Sequence, residues 1–290
     1  MMLGWLASPL LISLVLAGLA TSVHRWLPPR LATRFVSAVL VLVVSAAIPT
    51  ALVIALSFLA HAPVAAIGFR WCAQAIGLHG SIPGWVGAPV AVMIAWGVVR
   101  LIRLVHQHRV MRVDDAHPIH VTHSIRPYAV TLPGRAGQIV MSTALVELLD
   151  DDERRIVVAH EEAHARYRHD RYLLVAELAA AALPPLRALA RRVTFSVERW
   201  ADESAAVACG DRRLVARTLG KVALHGMPPT VAGFSGLGVS ARMRALLAPP
   251  VRNPRTLQVA ALWSSLLVTA GFSAYQLHHL ERLLPGLCPH

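Results

Sequence analysis

The sequence predicts a mainly α-helical integral membrane protein, with four transmembrane helices and a cytosolic α+β domain inserted between the third and the fourth. Two observations support this fold class. Hydrophobic residues make up 56% and charged residues only 15% of the 290 residues, whereas soluble domains average about 45–50% apolar and about 25% charged residues. In addition, four predominantly apolar runs are each long enough to cross a bilayer, which requires about 20 residues.

The predicted spans cover residues 3–23, 35–59, 85–105 and 256–278. The second run carries no charge and is the clearest of the four. The third contains Arg100 and Arg103 near its end, and their long side chains can reach an interface. Residues 1–60 therefore hold two helices joined by a short cytosolic loop, residues 61–84 form an extracytoplasmic loop, and residues 279–290 form a short extracytoplasmic tail.

The distribution of arginine predicts the orientation of these spans. The net charge of +12 comes almost entirely from arginine, and cytoplasmic loops carry an excess of Lys and Arg. Arginines are concentrated in residues 24–34, after the third span and before the fourth, whereas the loop at 61–84 contains only Arg70. We therefore expect the N-terminus outside and residues 106–255 in the cytosol. A basic chain can also bind nucleic acid, but no nucleic-acid motif accompanies the charge, so the expected partner is the lipid bilayer.

The three cysteines, Cys72, Cys209 and Cys288, form no C-x-x-C pair, which argues against a cysteine zinc site. In the predicted topology Cys72 and Cys288 both lie outside the cell, where a disulfide is chemically permitted. Two unpaired thiols are an equally good interpretation.

The predicted domain at 106–255 begins with a histidine-rich segment that contains His106, His108, His117, His120 and His123. These histidines have no regular spacing, so a solvated linker is a better interpretation than a second metal site. Residues 126–132 alternate as a strand, residues 133–137 have the composition of a turn, and residues 138–142 form a second strand. The two strands are predicted to form a β-hairpin.

Helices are predicted after the hairpin. The four carboxylates at 150–153 favour the N-terminus of a helix. Residues 172–189 are rich in Ala and Leu and are broken by Pro184 and Pro185. Glu177 and this double proline favour a buried or membrane-grazing helix over a further span. Residues 226–238 are rich in Gly and Pro and are predicted to form a flexible loop, followed by a short basic helix at 240–247.

The helix that starts near residue 151 carries the pattern H-E-x-x-H at His160, Glu161 and His164. Residues four apart on a helix share one face, so both imidazoles can bind the same zinc ion, while the glutamate acts as general base on water. For a chain of this composition a chance match has a probability of about 2 per cent. The motif therefore predicts a zinc hydrolase.

Catalytic zinc sites use three protein ligands and leave one position open. Glu198 and Asp202 lie four residues apart on another predicted helix, and Glu198 is the candidate third ligand, with Cys209 as a weaker alternative. Asp202 can accept a hydrogen bond from the free nitrogen of a ligating histidine and thereby orient the ring. The alternative interpretation of Glu198 and Asp202 is an ordinary charged helix face, which is disfavoured by the upstream motif.

In the mechanism that this pattern predicts, Glu161 takes a proton from water and later delivers it to the leaving amine. Tyr167 and His225 are weak candidates for stabilising the transition state, because packing or surface roles suit each of them better. The segment at Val140, Met141 and Ser142 is predicted to offer an edge strand to which an extended substrate can add.

Several stretches together resemble membrane zinc metallopeptidases of the gluzincin type, which include the Ste-type CAAX prenyl proteases and the HtpX-type quality-control proteases. They are residues 126–129, 132–134, 139–142, 160–164, 169–170 and 198–202. Three spans before the motif and one after it resemble more closely the BlaR/MecR antirepressor peptidases of bacteria. The resemblance implies zinc on His160, His164 and Glu198, base catalysis by Glu161 and support from Asp202, in a multi-pass protein of the bacterial plasma membrane.

One departure from this family concerns the C-terminal sensor. BlaR/MecR proteins carry an extracellular penicillin-binding domain after the last span, whereas about 12 residues follow the fourth predicted span here, without a Ser-x-x-Lys motif. We therefore expect no direct β-lactam sensing through such a domain. The resemblance still implies a regulatory endopeptidase that cleaves a cytosolic or membrane-proximal protein, such as a BlaI/MecI-like repressor.

Two alternative functions stay open at this point. One is an HtpX-like protease that degrades damaged membrane proteins. The other is a signalling or scaffold protein in which zinc is only structural. Structural zinc sites are usually closed by four protein ligands, and the sequence offers three candidates, which favours an enzyme. The sequence does not indicate the oligomeric state.

Overall fold

The computed structural model describes residues 11, 14–22, 24–61, 83–110, 119–133, 137–226, 232–251, 259–260, 263–271 and 274. Helices dominate these ranges. They are α1 Pro29–His61, α2 Gly84–Val110, α3 Thr143–Leu148, α4 Asp151–Arg166, α5 His169–Ala182, α6 Arg187–Cys209, α7 Arg212–Gly226 and α8 Ala232–Leu247. Short 3-10 turns occupy His24–Trp26 and Pro184–Leu186. The strands are β1 Ile119–Thr122, β2 Ala129–Thr131 and β3 Ile139–Ser142.

Two helices of the described chain are long and apolar enough to cross a bilayer, namely residues 29–56 within α1 and residues 84–107 within α2. They correspond to the second and third predicted spans. Of the first and fourth predicted spans, the described residues are helical: 11 and 14–22 in the first, and 259–260, 263–271 and 274 in the fourth. Most of the loop at 61–84, with Cys72, and all of the tail with Cys288 lie outside the described residues.

Helix α1 is longer than a bilayer requires. Its 33 residues extend about 50 Å at 1.5 Å per residue, against a hydrocarbon core of about 30 Å. Its first half is buried, where Val36, Leu40 and Val43 pack with Leu189 and Val193 of α6. Residues of the second predicted span therefore share one hydrophobic core with α5 and α6.

Helix α2 differs from α1 in its surroundings. Only 6% of its most apolar stretch, within residues 84–107, is buried inside the protein. Its exposed side chains are large and apolar, and they include Trp85, Val92, Val98 and Ile102. An exposed apolar surface of this extent is typical of contact with lipid or with another protein.

The sheet has the strand order β1-β3-β2. The predicted hairpin is confirmed, since β2 pairs antiparallel with β3 and places Val130 opposite Val140. The prediction of a solvated linker is wrong at 119–122, because these residues form β1, which pairs parallel with β3 and aligns His120 with Val140. The prediction of an edge strand at Val140, Met141 and Ser142 is also wrong, because β1 and β2 cover both edges of β3.

The break predicted at the double proline within residues 172–189 is confirmed: α5 ends at Ala182, a turn at Pro184–Leu186 follows, and α6 begins at Arg187. The prolines lack the backbone N–H that a continuous helix needs. Residues 232–238, predicted as part of a loop, form the beginning of α8. Helix α7, which packs against α8, had no counterpart in the sequence-based prediction.

Candidate metal centre

Helix α4 holds two histidines on one face, and its start is fixed by local chemistry. The Asp150 side chain accepts a hydrogen bond from the Glu153 backbone N–H (2.8 Å), and the Glu153 side chain accepts one from the Asp150 backbone N–H (3.1 Å). This reciprocal capping satisfies two helix N–H groups that have no partner within the helix. One turn separates His160 from His164, and their Nε2 atoms lie 3.2 Å apart.

Glu198 reaches the two histidines from α6. Its Oε2 lies 3.6 Å from Nε2 of His160, and its Oε1 lies 3.7 Å from Nε2 of His164. One ligand atom from each of the three residues falls within 4.8 Å of the others. Within the described ranges, this is the single group of three or more His, Cys, Asp or Glu side chains placed to hold a metal ion.

The chemistry of this donor set fits zinc. Two imidazoles and one carboxylate are the ligands of a catalytic zinc site with one open position. All three side chains are partly accessible rather than enclosed, so a substrate can approach them. The sequence predicted these three residues, and the structure brings them together. Cys209, the alternative ligand, instead packs against the cluster that includes Ile156 and Ala205.

Asp202 lies behind the site, one turn after Glu198 on α6. It is 2% exposed, and its Oδ1 lies 3.1 Å from Nδ1 of His160. A hydrogen bond from Nδ1–H to this carboxylate fixes the tautomer in which Nε2 presents its lone pair to a metal. The role that the sequence suggested for Asp202 therefore matches its position.

Arg242 of α8 joins the two carboxylates, and the sequence did not reveal it. Its Nη1 donates to Glu198 (2.8 Å), while Nη2 and Nε donate to the two oxygens of Asp202 (2.7 and 2.8 Å). A planar guanidinium suits such a fork. Arg242 is separated from Asp202 by 40 residues, and no local pattern links them. The one available signal was an arginine in the predicted basic helix at 240–247.

Opposing effects act on the ionisation of these groups. Burial disfavours charge on all of them. For His160 the hydrogen bonds and negative charges of Asp202 and Glu198 outweigh burial and raise its pKa to about 10. For His164 burial dominates and lowers the pKa. The pKa values of Glu198 and Asp202 are lowered despite burial, because His160 and Arg242 stabilise the carboxylates.

Glu161 lies beside this cluster and is oriented by a residue that sequence reasoning missed. The hydroxyl of Thr131 in β2 donates to Oε2 of Glu161 at 2.6 Å and also lies 2.9 Å from its backbone oxygen. Glu161 lines a cavity of about 200 Å³ together with His160 and Glu198. Glu162, the next residue, is exposed. Of the three carboxylates that line this cavity, Glu161 is the one that forms no ion pair with a described residue.

A comparison with protein families bears on the same helices. Residues 114–189 match the model of peptidase family M48. Peptidases of family M48 are zinc metalloproteases, so the match supports a metallopeptidase function. No curated protein and no solved structure matches the chain.

The M48 match contains the motif on α4 and the whole sheet, but it ends before Glu198 and Arg242. The geometry of the described chain therefore supplies what the match leaves out: a third candidate ligand, Arg242 that binds it, and Asp202 that orients His160. His160 and His164 belong both to the matched residues and to the cluster of candidate ligands. The family match and the geometry therefore both support a zinc site.

The two candidates for stabilising the transition state do not lie in the cavity with Glu161. Tyr167 stacks on Trp200, with ring centroids 4.7 Å apart, and on His169. His225 forms a hydrogen bond between its Nδ1 and the backbone oxygen of Lys221 at 2.8 Å, and its exposed side chain does not line the cavity. Arg242, by contrast, does line this cavity.

The strand beside the H-E-x-x-H motif is β2 rather than β3. Ala129 of β2 lines the cavity with Glu161, and Val130 and Thr131 line a second cavity of about 220 Å³ that includes His164. In the described chain β2 pairs only with β3. Its other edge is therefore unpaired among the described strands.

Proposed function

We propose that this protein is a membrane-embedded zinc endopeptidase whose active site faces the cytosol. The observation that carries the proposal is the cluster of His160, His164 and Glu198 with Glu161 beside it in a shared cavity. The M48 match at residues 114–189 supports the same chemistry. Bound zinc would polarise the scissile carbonyl and lower the pKa of water.

The protein's own side chains account for the remaining steps. Glu161, held by Thr131, accepts the proton of the attacking water and delivers it to the leaving amine. Asp202 and Arg242 hold His160 and Glu198 in the geometry that binds metal. We expect an extended substrate to add to the free edge of β2, since main-chain hydrogen bonds give affinity without demanding a sequence.

The location at a membrane rests on α1 and α2 and on the arginines that flank them. Arg30 and Arg34, near the start of α1, each lie 5.8 Å from the ring of Trp200, on the same helix as Glu198. Arg100 lies near the end of α2. Two helices that cross a bilayer in succession place the start of the first and the end of the second on the same side. Because positive flanks stay in the cytosol, this arrangement favours a cytosolic site in a multi-pass protein.

The proposed substrate is a cytosolic or membrane-proximal protein, and the resemblance to BlaR/MecR peptidases suggests a transcriptional repressor of the BlaI/MecI kind. Cleavage of one repressor would make the enzyme regulatory. The HtpX-like alternative predicts many misfolded membrane proteins as substrates instead.

The substitution Glu161→Ala in the full-length protein tests the enzyme hypothesis. We expect it to retain one zinc ion per chain and to lose proteolysis by about 10²–10⁴-fold, the usual contribution of a general base. Glu162→Ala is the matched control, because this neighbouring glutamate is exposed and should leave activity unchanged. Full activity of a zinc-loaded Glu161→Ala variant would refute the proposal and favour a structural zinc.

Proteins trapped by the same inactive variant distinguish the two enzymatic hypotheses. Capture of one DNA-binding protein would support a regulatory peptidase. Capture of many unrelated membrane proteins would support quality control. Glu162→Ala again serves as the control, because an active enzyme releases its products.

A further inference from the structure

A third cavity, of about 470 Å³, lies near the end of α2, and neither Glu161 nor a metal ligand lines it. Arg100, Arg103 and Gln107 of α2 line one side, and Arg187 and Glu177 of α6 and α5 line the other. Its volume falls in the range of about 300–1,000 Å³ that is typical of small-ligand sites. The cavity is therefore large enough for a polar head group.

The charge around this cavity is strongly positive. Glu177 is the one carboxylate in the lining, and the C-terminal end of α5, which reaches the cavity at Ala181, adds about half a negative charge. These offset only about half of the positive charge of three guanidinium groups. Among the described residues, no ion pair engages Arg100, Arg103 or Arg187. The cavity thus offers free donors to an anion.

The surroundings indicate which anion fits. Trp96 lies one turn before Arg100, and its ring contacts the guanidinium groups of Arg100 (4.8 Å) and Arg187 (5.8 Å). A tryptophan beside arginines at the end of an apolar helix is typical of a membrane interface. The adjoining surface of α2 is apolar and exposed at Val98 and Ile102. The arginines of the cavity suit a phosphate group, and the adjoining apolar surface suits acyl chains. A phospholipid combines both groups in one molecule.

A close helix contact shapes this cavity. A Cβ atom on Gly97 would lie 3.4 Å from the backbone oxygen of Ala182, an ordinary van der Waals distance, so α2 packs directly on the end of α5. That approach brings Arg100 of α2 and Arg187 of α6 to the same tryptophan. The exposed guanidinium groups of Arg100 and Arg187 thus meet at one ring where α2 packs on the end of α5.

We propose that this cavity binds the phosphate head group of an anionic phospholipid, with the acyl chains lying along the exposed face of α2. Guanidinium groups donate paired hydrogen bonds to phosphate oxygens, and basic pockets between helices on the cytosolic side are suited to anionic head groups. The proposal rests on the membrane location proposed above but not on peptidase activity. Its failure can therefore be distinguished from failure of the peptidase hypothesis.

The test uses the full-length protein in neutral detergent and native mass spectrometry with phosphatidylglycerol or phosphatidylcholine of the same chain length. We expect phosphatidylglycerol to bind at least tenfold more tightly. The double substitution Arg103→Gln and Arg187→Gln should weaken its binding about 30-fold, since each arginine near a membrane surface contributes about fivefold. Zinc content should stay at the parent value.

The matched control is Arg213→Gln with Arg217→Gln, which removes the same charge from exposed positions on α7. It should change lipid binding less than twofold. An equal loss in both double variants, or equal binding of the two lipids, would overturn the proposal. Competition by inorganic phosphate at the same concentration as the lipid would also overturn it, because the site would then recognise a free anion.

A labelling measurement covers the case in which the double variant does not fold. An anionic phospholipid with a photoreactive acyl chain, added to the parent protein, should label the peptide that contains residues 96–107 more strongly than a zwitterionic lipid with the same group does. Equal labelling by the two lipids would contradict the proposal.

Discussion

The contact between Arg242 and Asp202 allows a quantitative test of the metal centre. Both side chains are largely buried, with 13% and 3% of their side-chain surfaces exposed. Two hydrogen bonds join them, at 2.7 and 2.8 Å. Unit charges about 4 Å apart attract by about 4 kcal/mol at the effective dielectric constant of about 20 that describes protein sites. Breaking a buried pair on one side typically costs about 3–5 kcal/mol.

We therefore expect Arg242→Met to lower the free energy of unfolding of the zinc-free protein by about 3 kcal/mol. Asp202 keeps His160 as a partner, which places the loss at the lower end of the range. In a double-mutant cycle with Asp202→Asn, the coupling energy should be about 2–3 kcal/mol. The assay is urea unfolding of the full-length protein in detergent, followed by far-ultraviolet circular dichroism.

Arg155→Met is the control for this cycle. Arg155 pairs with Asp152 on α4, but the two side chains are 75% and 62% exposed, and exposed pairs contribute about 0–1 kcal/mol. The reasoning is refuted if Arg242→Met costs no more than Arg155→Met, or if the coupling energy with Asp202→Asn is below about 0.5 kcal/mol. Either result would mean that solvent, not Arg242, compensates the two carboxylates.

Three other predictions follow from the same geometry. Thr131→Val removes the hydrogen bond to Glu161 and should lower kcat about tenfold with zinc content and KM unchanged, since a hydrogen bond to a charged group contributes about 1.5–3 kcal/mol. The pKa of His160, raised to about 10 by Asp202 and Glu198 against burial, keeps the ring protonated at pH 7, so zinc binding should release about one proton, measurable by calorimetry in two buffers of different ionisation enthalpy. Burial lowers the pKa of His169 to about 3, so the folded state favours the neutral ring. The contribution of His169 to the free energy of unfolding is therefore fully present above its unfolded pKa of 6.5 and is lost as the pH falls toward 3. At pH 5.5 this loss should be about 1.4 kcal/mol in urea unfolding, and it should be absent in His169→Phe.

Local patterns in the sequence account for the features that were predicted well. The spacing of His160 and His164 and the carboxylates before them are properties of one helix, and helical periodicity carries them directly into space. The same holds for Glu198 and Asp202. A strand–turn–strand pattern was enough for the hairpin, because its partners are neighbours along the chain.

Features that depend on distant partners were missed. Strand β1 has only four residues, three of them exposed, and its alternation of Ile, His, Val and Thr is too short to distinguish it from the histidine-rich segment around it. Without β1 the hairpin seemed to leave β3 at an edge. Arg242 comes from a helix whose first residues, 232–238, are rich in glycine, and its role is defined only by contacts with α6. Thr131 faces Glu161 through packing of β2 on α4, which no periodicity encodes.

The shared core of α1, α5 and α6 changes how the metal centre should be understood. Glu198 and Asp202 lie on the second half of α6, while the first half packs on α1 through Leu189 and Val193. Trp200, on the same helix, lies against the arginines near the start of α1 and against the ring of His169. His169 in turn contacts the ring of His164 edge-on, with centroids 4.7 Å apart. Because one helix carries both the packing on α1 and the third ligand, α1 is part of the framework that positions Glu198. A fragment restricted to residues 106–255 would keep the motif but expose the buried face of α6, and with it lose the support that aligns the carboxylate with the two histidines.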